Sequence, residues 1–276
     1  RTRALHVSVD APLVDTCGTG GDGSETFNIS TAAGLVVAGL GVKVAKHGNR
    51  AMSGASGSAD VLEALGVKID LGPEGVKSCL EEVGFGFMFA PIFHPSMKFA
   101  AGPRREIGIR SVFNILGPLT NPAGADSQLI GVASPSIGEM IAKVLCILGS
   151  SHALVVHGKD GLDEISLSDE TQIWELKDGS ISSFTITPQE LDFTQVRRTD
   201  LKVSTVRESA EAIRDVFQGT VGPMRNVVLA NAAGALVVTG RAETIMRGIP
   251  IAAKSIDSGA ALGKLEALVE LSQRLE

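Results

Sequence analysis

A glycine-rich loop near the start of the chain has residue types suited to ligand binding. The segment DTCGTGGDGS contains Gly18, Gly20, Gly21 and Gly23, and NISTAAG follows, with Ser30 at the start of an expected helix. A glycine turn before a helix presents backbone N–H groups and the positive end of the helix dipole to an anion. The segment therefore predicts a phosphate or diphosphate site. The alternative is a plain turn in which Ser30 only caps the helix.

The glycine spacing also matches the dinucleotide fingerprint GxGxxG, but the second half of that fingerprint is missing. The fingerprint needs an acidic residue about 20 positions later, at the end of the next strand, to hold ribose hydroxyls. The expected strand in VKVAKHGNR ends instead with Lys46, His47 and Arg50. No GK[ST] follows the glycines, which excludes a P-loop. A basic strand end favours a phosphate over a nicotinamide cofactor.

The segment KHGNRAMSGASGSAD, residues 46–60, is a second candidate for phosphate and sugar contacts. Its residues that can neutralise phosphate charge or donate hydrogen bonds are Lys46, Asn49, Arg50, Ser53 and Ser56. The alternative is a solvated loop in which Ser56 or Ser58 caps the following helix. Ligands of open α/β sheets gather outside the carboxyl ends of the strands, so two such loops after successive strands favour a binding site.

Asp163 and Glu164 are adjacent acids that follow another expected buried strand, in VVHGKDGLDEIS. Magnesium prefers oxygen ligands and is typically held by one or two carboxylates together with substrate phosphates. Beside a diphosphate loop, the acid pair predicts a magnesium site. The alternative is a solvated turn, because acid pairs are common on protein surfaces.

The segment FHPSMKFAAGPRREIGIR carries scattered basic residues. Arg104 and Arg105 are consecutive, so on a helix their side chains point about 100° apart and serve different partners. One of them can pair with a carboxylate substrate, although arginines on surface helices are more often solvated. His94 precedes Pro95, which indicates a helix start rather than a metal ligand.

The elements that must position these residues alternate along the chain. Val- and Ile-rich runs alternate with Ala- and Leu-rich segments, which is the pattern of a mostly parallel central sheet flanked by helices, an α/β fold. We expect strands in APLVDT, VKVAKHG, VKIDL, GFGFMFAP, SQLIGVAS and HALVVHG, a hairpin at Asp178-Gly179, and a mostly helical C-terminal third. Residues 1–92 and 119–276 form the expected large domain, and 93–118 form a helical insertion belonging to a small α-helical domain.

Composition narrows the functional class. The chain has 276 residues, 44% of them hydrophobic, enough to bury a sizeable core. A net charge of −6 argues against a nucleic-acid partner. Three widely spaced cysteines without a CxxC favour a reducing cytoplasm over a disulfide framework or a zinc site. The N-terminal RTRALHVSVD lacks the apolar run of a signal peptide, and later apolar runs are too short to predict a membrane anchor.

Several motifs in order resemble one family over nearly the whole chain. They are GTGGD, NIST, KHGNR, SGSADVLEALG, FAPIFHPSMK, RREIGIRSVFNILGPLTNPA, GLDEIS, LANAAGALVV and GAALGKLEALVEL. Together they are similar to the anthranilate phosphoribosyltransferase family of tryptophan biosynthesis. Related pyrimidine nucleoside phosphorylases share parts such as KHG, but FNILGPLTNP and GLDE resemble the transferases.

This resemblance implies magnesium-dependent transfer of phosphoribose from 5-phosphoribosyl 1-diphosphate to the amine of anthranilate, with release of diphosphate. It implies no covalent nucleophile, with Lys46 and Arg104 as electrostatic and positioning groups and Arg104 on the anthranilate carboxylate. Magnesium would be held by Ser30, Asp163 and Glu164. The full set of implied substrate-binding residues is Gly18, Thr19, Gly20, Gly21, Asp22, Thr26, Asn28, Ser30, Thr31, Lys46, His47, Gly48, Asn49, Ser58, His94 and Arg104.

The resemblance also sets expectations for assembly. Family members carry a longer helical segment before the glycine loop, so we expect the small helical domain to be truncated at its N-terminal side here, which bears on dimerisation and on part of the anthranilate pocket. The implied protein is a cytoplasmic homodimer. The alternatives are a nucleoside phosphorylase of the same fold, a non-catalytic phosphoribosyl-binding homologue and, least favoured, a dinucleotide oxidoreductase.

Overall fold

A computed structural model describes residues 3–51, 56–97, 99 and 115–275. Its strands are β1 (Leu13–Gly18), β2 (Lys43–Gly48), β3 (Phe85–Phe89), β4 (Ser127–Gly131), β5 (His152–Gly158), β6 (Thr171–Lys177) and β7 (Ser180–Ile186). Within this part of the chain they form one sheet in the order β3-β2-β1-β4-β5-β6-β7. The pairs among β1 to β5 are parallel, whereas β6 and β7 are added antiparallel. The expected α/β fold is confirmed.

Helices connect the strands and cover the sheet. They are α1 (Ile29–Gly39), α2 (Ser58–Ala64), α3 (Pro73–Ser78) continued by a π-helical turn (Cys79–Val83), α4 (Ala90–Phe93), α5 (Gly138–Ile147), α6 (Val206–Phe217), α7 (Pro223–Val238), α8 (Ile245–Asp257) and α9 (Ala260–Arg274). Short 3-10 turns lie at Pro95–Met97, Pro135–Ile137, Gln189–Leu191 and Arg198–Leu201. Helix α1 packs on β1 and β2 and is itself covered by α7 and α9.

The core lies on both faces of the sheet. Successive side chains of a strand point to opposite faces, and accordingly Leu129 and Leu154 belong to one buried cluster while Ile130 and Val155 belong to another. The first cluster includes α1 and α7, and the second lies beneath α5. Because central strands are buried on both sides, they read as continuous apolar runs, which explains why their positions were predictable.

One expected strand is wrong. The segment VKIDL, residues 67–71, belongs to no strand. Its Val67, Ile69 and Leu71 are buried at alternating positions, as a strand would require. However, the N–H of Val67 donates to Leu62 O at 2.9 Å and that of Lys68 to Ser272 Oγ at 3.0 Å. The backbone therefore bonds to the preceding helix and to α9 instead of to a sheet edge.

The hairpin is confirmed, since Asp178 and Gly179 both have positive φ, 49° and 77°, between β6 and β7. This is the backbone that a two-residue hairpin turn needs. Of the expected helical insertion at 93–118, residues 98 and 100–114 lie outside the described part, so the domain division stays a prediction. Among the described helices, none combines the length and apolar character needed to cross a bilayer.

Candidate active site

The carboxyl ends of β1, β2 and β5, at one edge of the sheet, bring the predicted loops together. The glycine loop follows β1, the KHGNR segment spans the end of β2, and the acid pair follows β5. Strand β4 lies between β1 and β5, and its last residue, Gly131, pairs with Gly18. Parallel strands end on the same edge of a sheet, so loops distant in sequence meet here.

Absence of side chains lets the glycine loop and the acid loop approach each other. A Cβ at Gly18 would overlap the Asp163 carboxylate, and one at Gly131 would overlap the Asp163 carbonyl. The N–H of Gly20 donates to Asp163 Oδ2 at 2.7 Å. Gly20, Gly21 and Gly23 have φ between 66° and 71°, a region that other residues rarely adopt. Here the glycines serve both close approach and left-handed backbone.

Thr19 ties the glycine loop to β4. Its N–H donates to Gly131 O at 2.9 Å, and its hydroxyl accepts from Ala133 N at 3.2 Å. The first bond reaches the last residue of β4 and the second reaches Ala133 just after it, so the loop is attached to the end of this strand. The loop is therefore held on a rigid strand rather than free in solvent.

Asp163 and Glu164 are both only 9% exposed. Burial raises the pKa of Asp163 above its ordinary value, and the charge of Asp22 raises it further, while the Gly20 N–H opposes the shift. Burial likewise raises the pKa of Glu164, with Asp163 adding to the effect and Lys46 opposing it. Buried carboxylates that repel one another favour a bound cation or proton.

Glu164 reaches the start of α1. The Ser30 N–H opposes the rise in the pKa of its carboxyl, and the positive end of the helix dipole lies at this position. Lys46 also reaches the start of α1. It is 1% exposed, and its ammonium donates to Ser30 Oγ at 3.1 Å and to the Thr16 carbonyl. The Ser30 hydroxyl thus accepts from Lys46, and the Ser30 N–H favours the charged form of Glu164.

Burial lowers the pKa of Lys46, although Asp15 and Glu164 oppose the shift. Asp15 is fully buried, and burial raises its pKa to about 6. Its carboxylate accepts from Asn121 Nδ2 at 2.8 Å and from His47 N at 3.3 Å. Asn121 also donates to Ala45 O at 2.8 Å. Sequence reasoning missed Asp15 and Asn121 as supports of the β2 end.

The donor set fits magnesium. In the described residues, no group of three or more His, Cys, Asp and Glu side chains forms a metal cage. Magnesium commonly takes only one or two carboxylates and completes its shell with waters and phosphates. Asp163 and Glu164 supply these carboxylates beside the glycine loop, and Asp22 adds a buried Oδ2 without a hydrogen-bond donor. Oxygen atoms facing one another in this way are a suitable environment for a divalent cation.

Residues at the start of α1 have roles that the sequence did not predict. The N-cap is Asn28, not Ser30: Asn28 Oδ1 accepts from Thr31 N at 3.3 Å and also from the Thr31 hydroxyl. The alternative in which Ser30 only caps the helix is therefore wrong. Thr26 lies just before, with its hydroxyl 3.1 Å from Ser24 Oγ.

The two basic residues Lys46 and Arg50 of the second loop have different partners. Lys46 points inward to Ser30, whereas Arg50 pairs with Asp60 at 2.9 Å and Glu63 at 2.8 Å and lies over the Phe89 ring. Arg50, which the sequence analysis suggested for phosphate binding, is therefore paired with two acids of α2. The loop residue Ser53 lies outside the described part of the chain.

Ser58, at the start of α2, lies against Gly48 and Asn49 of this loop. A Cβ at Gly48 would overlap Ser58 Oγ, and Ser58 Oγ is 3.4 Å from Asn49 O. The N-cap of α2 is Gly57, so the alternative in which Ser56 or Ser58 caps this helix is wrong. Asp60 replaces a side-chain cap by accepting from Gly57 N at 3.0 Å. Asn49 is exposed and open to a ligand.

His47 and His94 meet with ring centroids 4.9 Å apart. His47 Nδ1 lies 3.1 Å from Gly117 O, a carbonyl that can only accept, so Nδ1 carries the proton. The Nε2 atoms of both rings are buried without a hydrogen-bond partner. Burial lowers the pKa of His47 to about 4, and His94 adds to the shift. Burial also lowers the pKa of His94. Both rings are neutral at pH 7.

The structure brings together the glycine loop, the start of α1, the end of β2 and the acid pair. Arg104 and Arg105 lie outside the described residues, so their placement stays a prediction. Sequence reasoning also missed Asn231, a fully buried residue of α7 whose side chain bonds the backbone of Ile165. The available signal was a polar residue in the otherwise apolar run LANAAGALVV.

Comparison with known proteins agrees with this architecture. A model of a glycosyl transferase family, described as its a/b domain, matches residues 10–262. The class of protein is therefore a glycosyl transferase with an α/β domain.

Individual relatives narrow the class. An anthranilate phosphoribosyltransferase of Dehalococcoides mccartyi is 55% identical over 100% of this chain and 81% of its own. The crystal structure of the Thermus thermophilus enzyme of that name superposes with a TM-score of 0.93 at 42% identity, covering 98% of this chain and 81% of the other. The chain belongs to the anthranilate phosphoribosyltransferase family.

The Saccharomyces cerevisiae anthranilate phosphoribosyltransferase is a more distant member with bound ligands. Its complex with PRPP and Mg has a TM-score of 0.92 at 29% identity and covers 99% of this chain and 77% of that one. The same yeast enzyme was also solved with 4-fluoroanthranilate, with a TM-score of 0.89, 28% identity and the same coverage.

The neutral His47 generates a prediction about stability and pH. In the unfolded chain, His47 has its ordinary pKa of 6.5 and is protonated below that pH. In the folded chain, the same side chain stays neutral until the pH falls to about 4. Stability from this group is therefore present above pH 6.5 and is lost as the pH falls toward 4. His47→Asn, which keeps a donor near Gly117, removes this loss.

The measurement is urea unfolding of wild type and His47→Asn at pH 7 and pH 5. The free energy of unfolding of wild type should fall by roughly 2 kcal/mol more than that of the variant between these pH values. Equal falls in both proteins would show that His47 takes up its proton as easily in the folded chain as in the unfolded one.

Proposed function

We propose that this chain transfers phosphoribose from 5-phosphoribosyl 1-diphosphate to the amine of anthranilate, giving N-(5-phosphoribosyl)anthranilate and diphosphate in tryptophan biosynthesis. The observation that carries the proposal is the convergence of Asp163 and Glu164 on the glycine loop and the start of α1. A buried acid pair beside an anion-binding loop fits a diphosphate held through magnesium. The family relationship and the yeast complex with PRPP and Mg support the substrate and the cation.

The diphosphate is bound by backbone and fixed dipoles in this proposal. The N–H groups of Thr19 and Gly20 already donate to Gly131 O and Asp163, so residues 21–22 are the part of the glycine loop that would present N–H groups to the diphosphate. The start of α1 adds its positive dipole end together with Asn28, Ser30 and Thr31. The chemistry that bound magnesium supplies is neutralisation of the charge that grows on the departing diphosphate. Asp163, Glu164 and Ser30 would hold it. The proposed binding residues for the ribose and its phosphate are Thr26, Lys46, His47, Gly48, Asn49 and Ser58.

Lys46 acts mainly through the electrostatic effect of its positive charge and through its hydrogen bond to Ser30. Its ammonium is already engaged by Ser30 and Thr16, so it fixes the Ser30 hydroxyl and opposes the negative charge of Glu164. Breaking the C1–O bond leaves positive charge on the ribose and an electron pair on the diphosphate oxygen. Charges that are preorganised for this separation lower the barrier, and no covalent nucleophile is needed.

On the acceptor side, the groups placed near the reacting amine are neutral. Anthranilate carries its own neutral aromatic amine, and His47 and His94 are also neutral at pH 7. We place His94 and Asn49 near the ring and amine, and Arg104 on the carboxylate. Support for an anthranilate pocket comes from the yeast complex with 4-fluoroanthranilate. Positioning of the amine against C1 then supplies much of the remaining rate.

The acid pair is tested by a double variant. Asp163→Asn with Glu164→Gln should lower the rate of anthranilate consumption, followed by its fluorescence, by about 10²–10³-fold, because the cation loses its carboxylates. Chelation of magnesium in wild type should abolish the reaction, and added magnesium should restore it. Glu170→Gln, an exposed acid paired with Lys159, is the matched control and should keep the wild-type rate. A metal-independent reaction using inorganic phosphate and a nucleoside would favour the phosphorylase alternative.

Arg104 is tested against its neighbour. Arg104→Gln should raise the KM for anthranilate about 10- to 100-fold with little change in the KM for phosphoribosyl diphosphate, because a charge-assisted hydrogen bond to the carboxylate is lost. Arg105→Gln is the control, because in the helix expected from the sequence consecutive residues would face different directions. Equal effects of the two variants would contradict a specific role for Arg104.

Assembly and location complete the proposal. We place the protein in the cytoplasm as a homodimer, and the free thiols of Cys17, Cys79 and Cys146 suit a reducing compartment. The helical domain that includes residues 93–118 is the proposed dimer contact. Sedimentation of the protein at micromolar concentration should give twice the mass of one chain. A single-chain mass across that range would contradict the dimer without affecting the proposed chemistry.

A further inference from the structure

Asn231 makes three hydrogen bonds from the interior of the apolar helix α7. Its Oδ1 accepts from Ile165 N at 2.9 Å, and its Nδ2 donates to Ile165 O at 3.0 Å and to Val227 O at 2.9 Å. The side chain is 0% exposed. An isolated buried carboxamide is costly, so its bonds must be fully satisfied, as they are here.

The partner of Asn231 follows directly after the acid pair. Ile165 is the next residue after Glu164, and both of its backbone polar groups are held by one side chain. Two bonds to one residue restrain rotation of the two peptide units that flank it. The peptide that joins Glu164 to Ile165 is one of these, so its orientation determines where the Glu164 side chain leaves the backbone.

The helix approaches this loop closely beyond Asn231 as well. One turn further along α7, a Cβ at Gly234 would lie 2.9 Å from Ile165 Cδ1. On the other side, the Asp163 carbonyl lies against Gly131, where no Cβ fits. The acid loop is therefore held between the end of β4 and α7, with Asn231 as the polar contact on the helix side.

We propose that Asn231 is a positioning residue for the cation-binding acids. It does not touch the cation or the substrate; it acts through Ile165 to direct Asp163 toward the glycine loop and Glu164 toward Ser30. The inference rests on the proposed function, in which these acids hold magnesium with diphosphate. Residues that orient metal ligands in this way typically change metal affinity 10- to 100-fold when they are replaced.

The test measures magnesium-dependent binding of inorganic diphosphate by calorimetry, which requires no turnover. For each protein, the magnesium concentration that gives half-maximal diphosphate binding is determined. Asn231→Ala should raise this concentration 10- to 100-fold. Asn231→Ser, which can still bond the Val227 carbonyl from the helix but cannot span to Ile165, should show the same direction of change and leaves a smaller change in volume.

Ser255→Ala is the matched control. Ser255 lies in α8, is 1% exposed and donates to Val36 O at 2.8 Å, so its replacement also removes a buried side-chain bond to backbone. Because the Ser255 hydroxyl bonds Val36 of α1 and not a residue of the acid loop, this variant should keep the magnesium midpoint within twofold of wild type. A loss of general stability is thereby separated from a loss of ligand orientation.

The outcomes are distinguishable. If a folded Asn231→Ala or Asn231→Ser binds diphosphate with the wild-type magnesium midpoint, the inference is overturned while the proposed function stands. If wild type itself binds diphosphate without any magnesium dependence, the proposed metal site fails, and this inference fails with it. If Asn231→Ala does not fold, the milder Asn231→Ser decides between the first result and the expected one.

Discussion

Repulsion among buried carboxylates at the end of a parallel sheet is the interaction on which the rest of this site depends. Asp163 and Glu164 are adjacent and nearly inaccessible to water, and Asp22 faces them from the glycine loop. The fold offsets part of this cost with the Gly20 N–H, the Ser30 N–H and the charge of Lys46. These groups do not remove the upward pKa shifts, and a magnesium ion would complement the remaining negative charge.

Close backbone approach follows from the same arrangement. Asp163 can reach the glycine loop only because Gly18 and Gly131, paired across β1 and β4, carry no side chains. The acid loop is then fixed from the helix side by Asn231. Glycines on one side and the hydrogen-bonded amide of Asn231 on the other thus fix the position of the two carboxylates.

A second network supports the acceptor side. Asp15, Asn121 and the His47 backbone join β1, β2 and the segment before β4, and the carbonyl of Gly117 sets the tautomer of His47. The charged groups Lys46 and Glu164 thus lie near the start of α1, whereas His47, the residue after Lys46, is neutral. This division suits a reaction in which charge separates on the diphosphate and the attacking amine is neutral.

The sequence by itself determined the α/β alternation, the hairpin and the strand ends that the glycine loop and the acid pair follow, because glycine runs, Asp-Gly turns and apolar strands follow from local backbone and burial preferences. It also carried the family motifs. It wrongly predicted a strand at VKIDL, because the same alternation of Val67, Ile69 and Leu71 also occurs in an extended segment that packs on α9. The serines that it suggested as helix caps are not the N-caps of α1 and α2. Only the tertiary structure decided that Lys46 bonds Ser30, that Arg50 belongs to Asp60 and Glu63, and that Asn231 holds Ile165. These pairs are set by which strand ends are neighbours in the sheet, and no local spacing encodes that order.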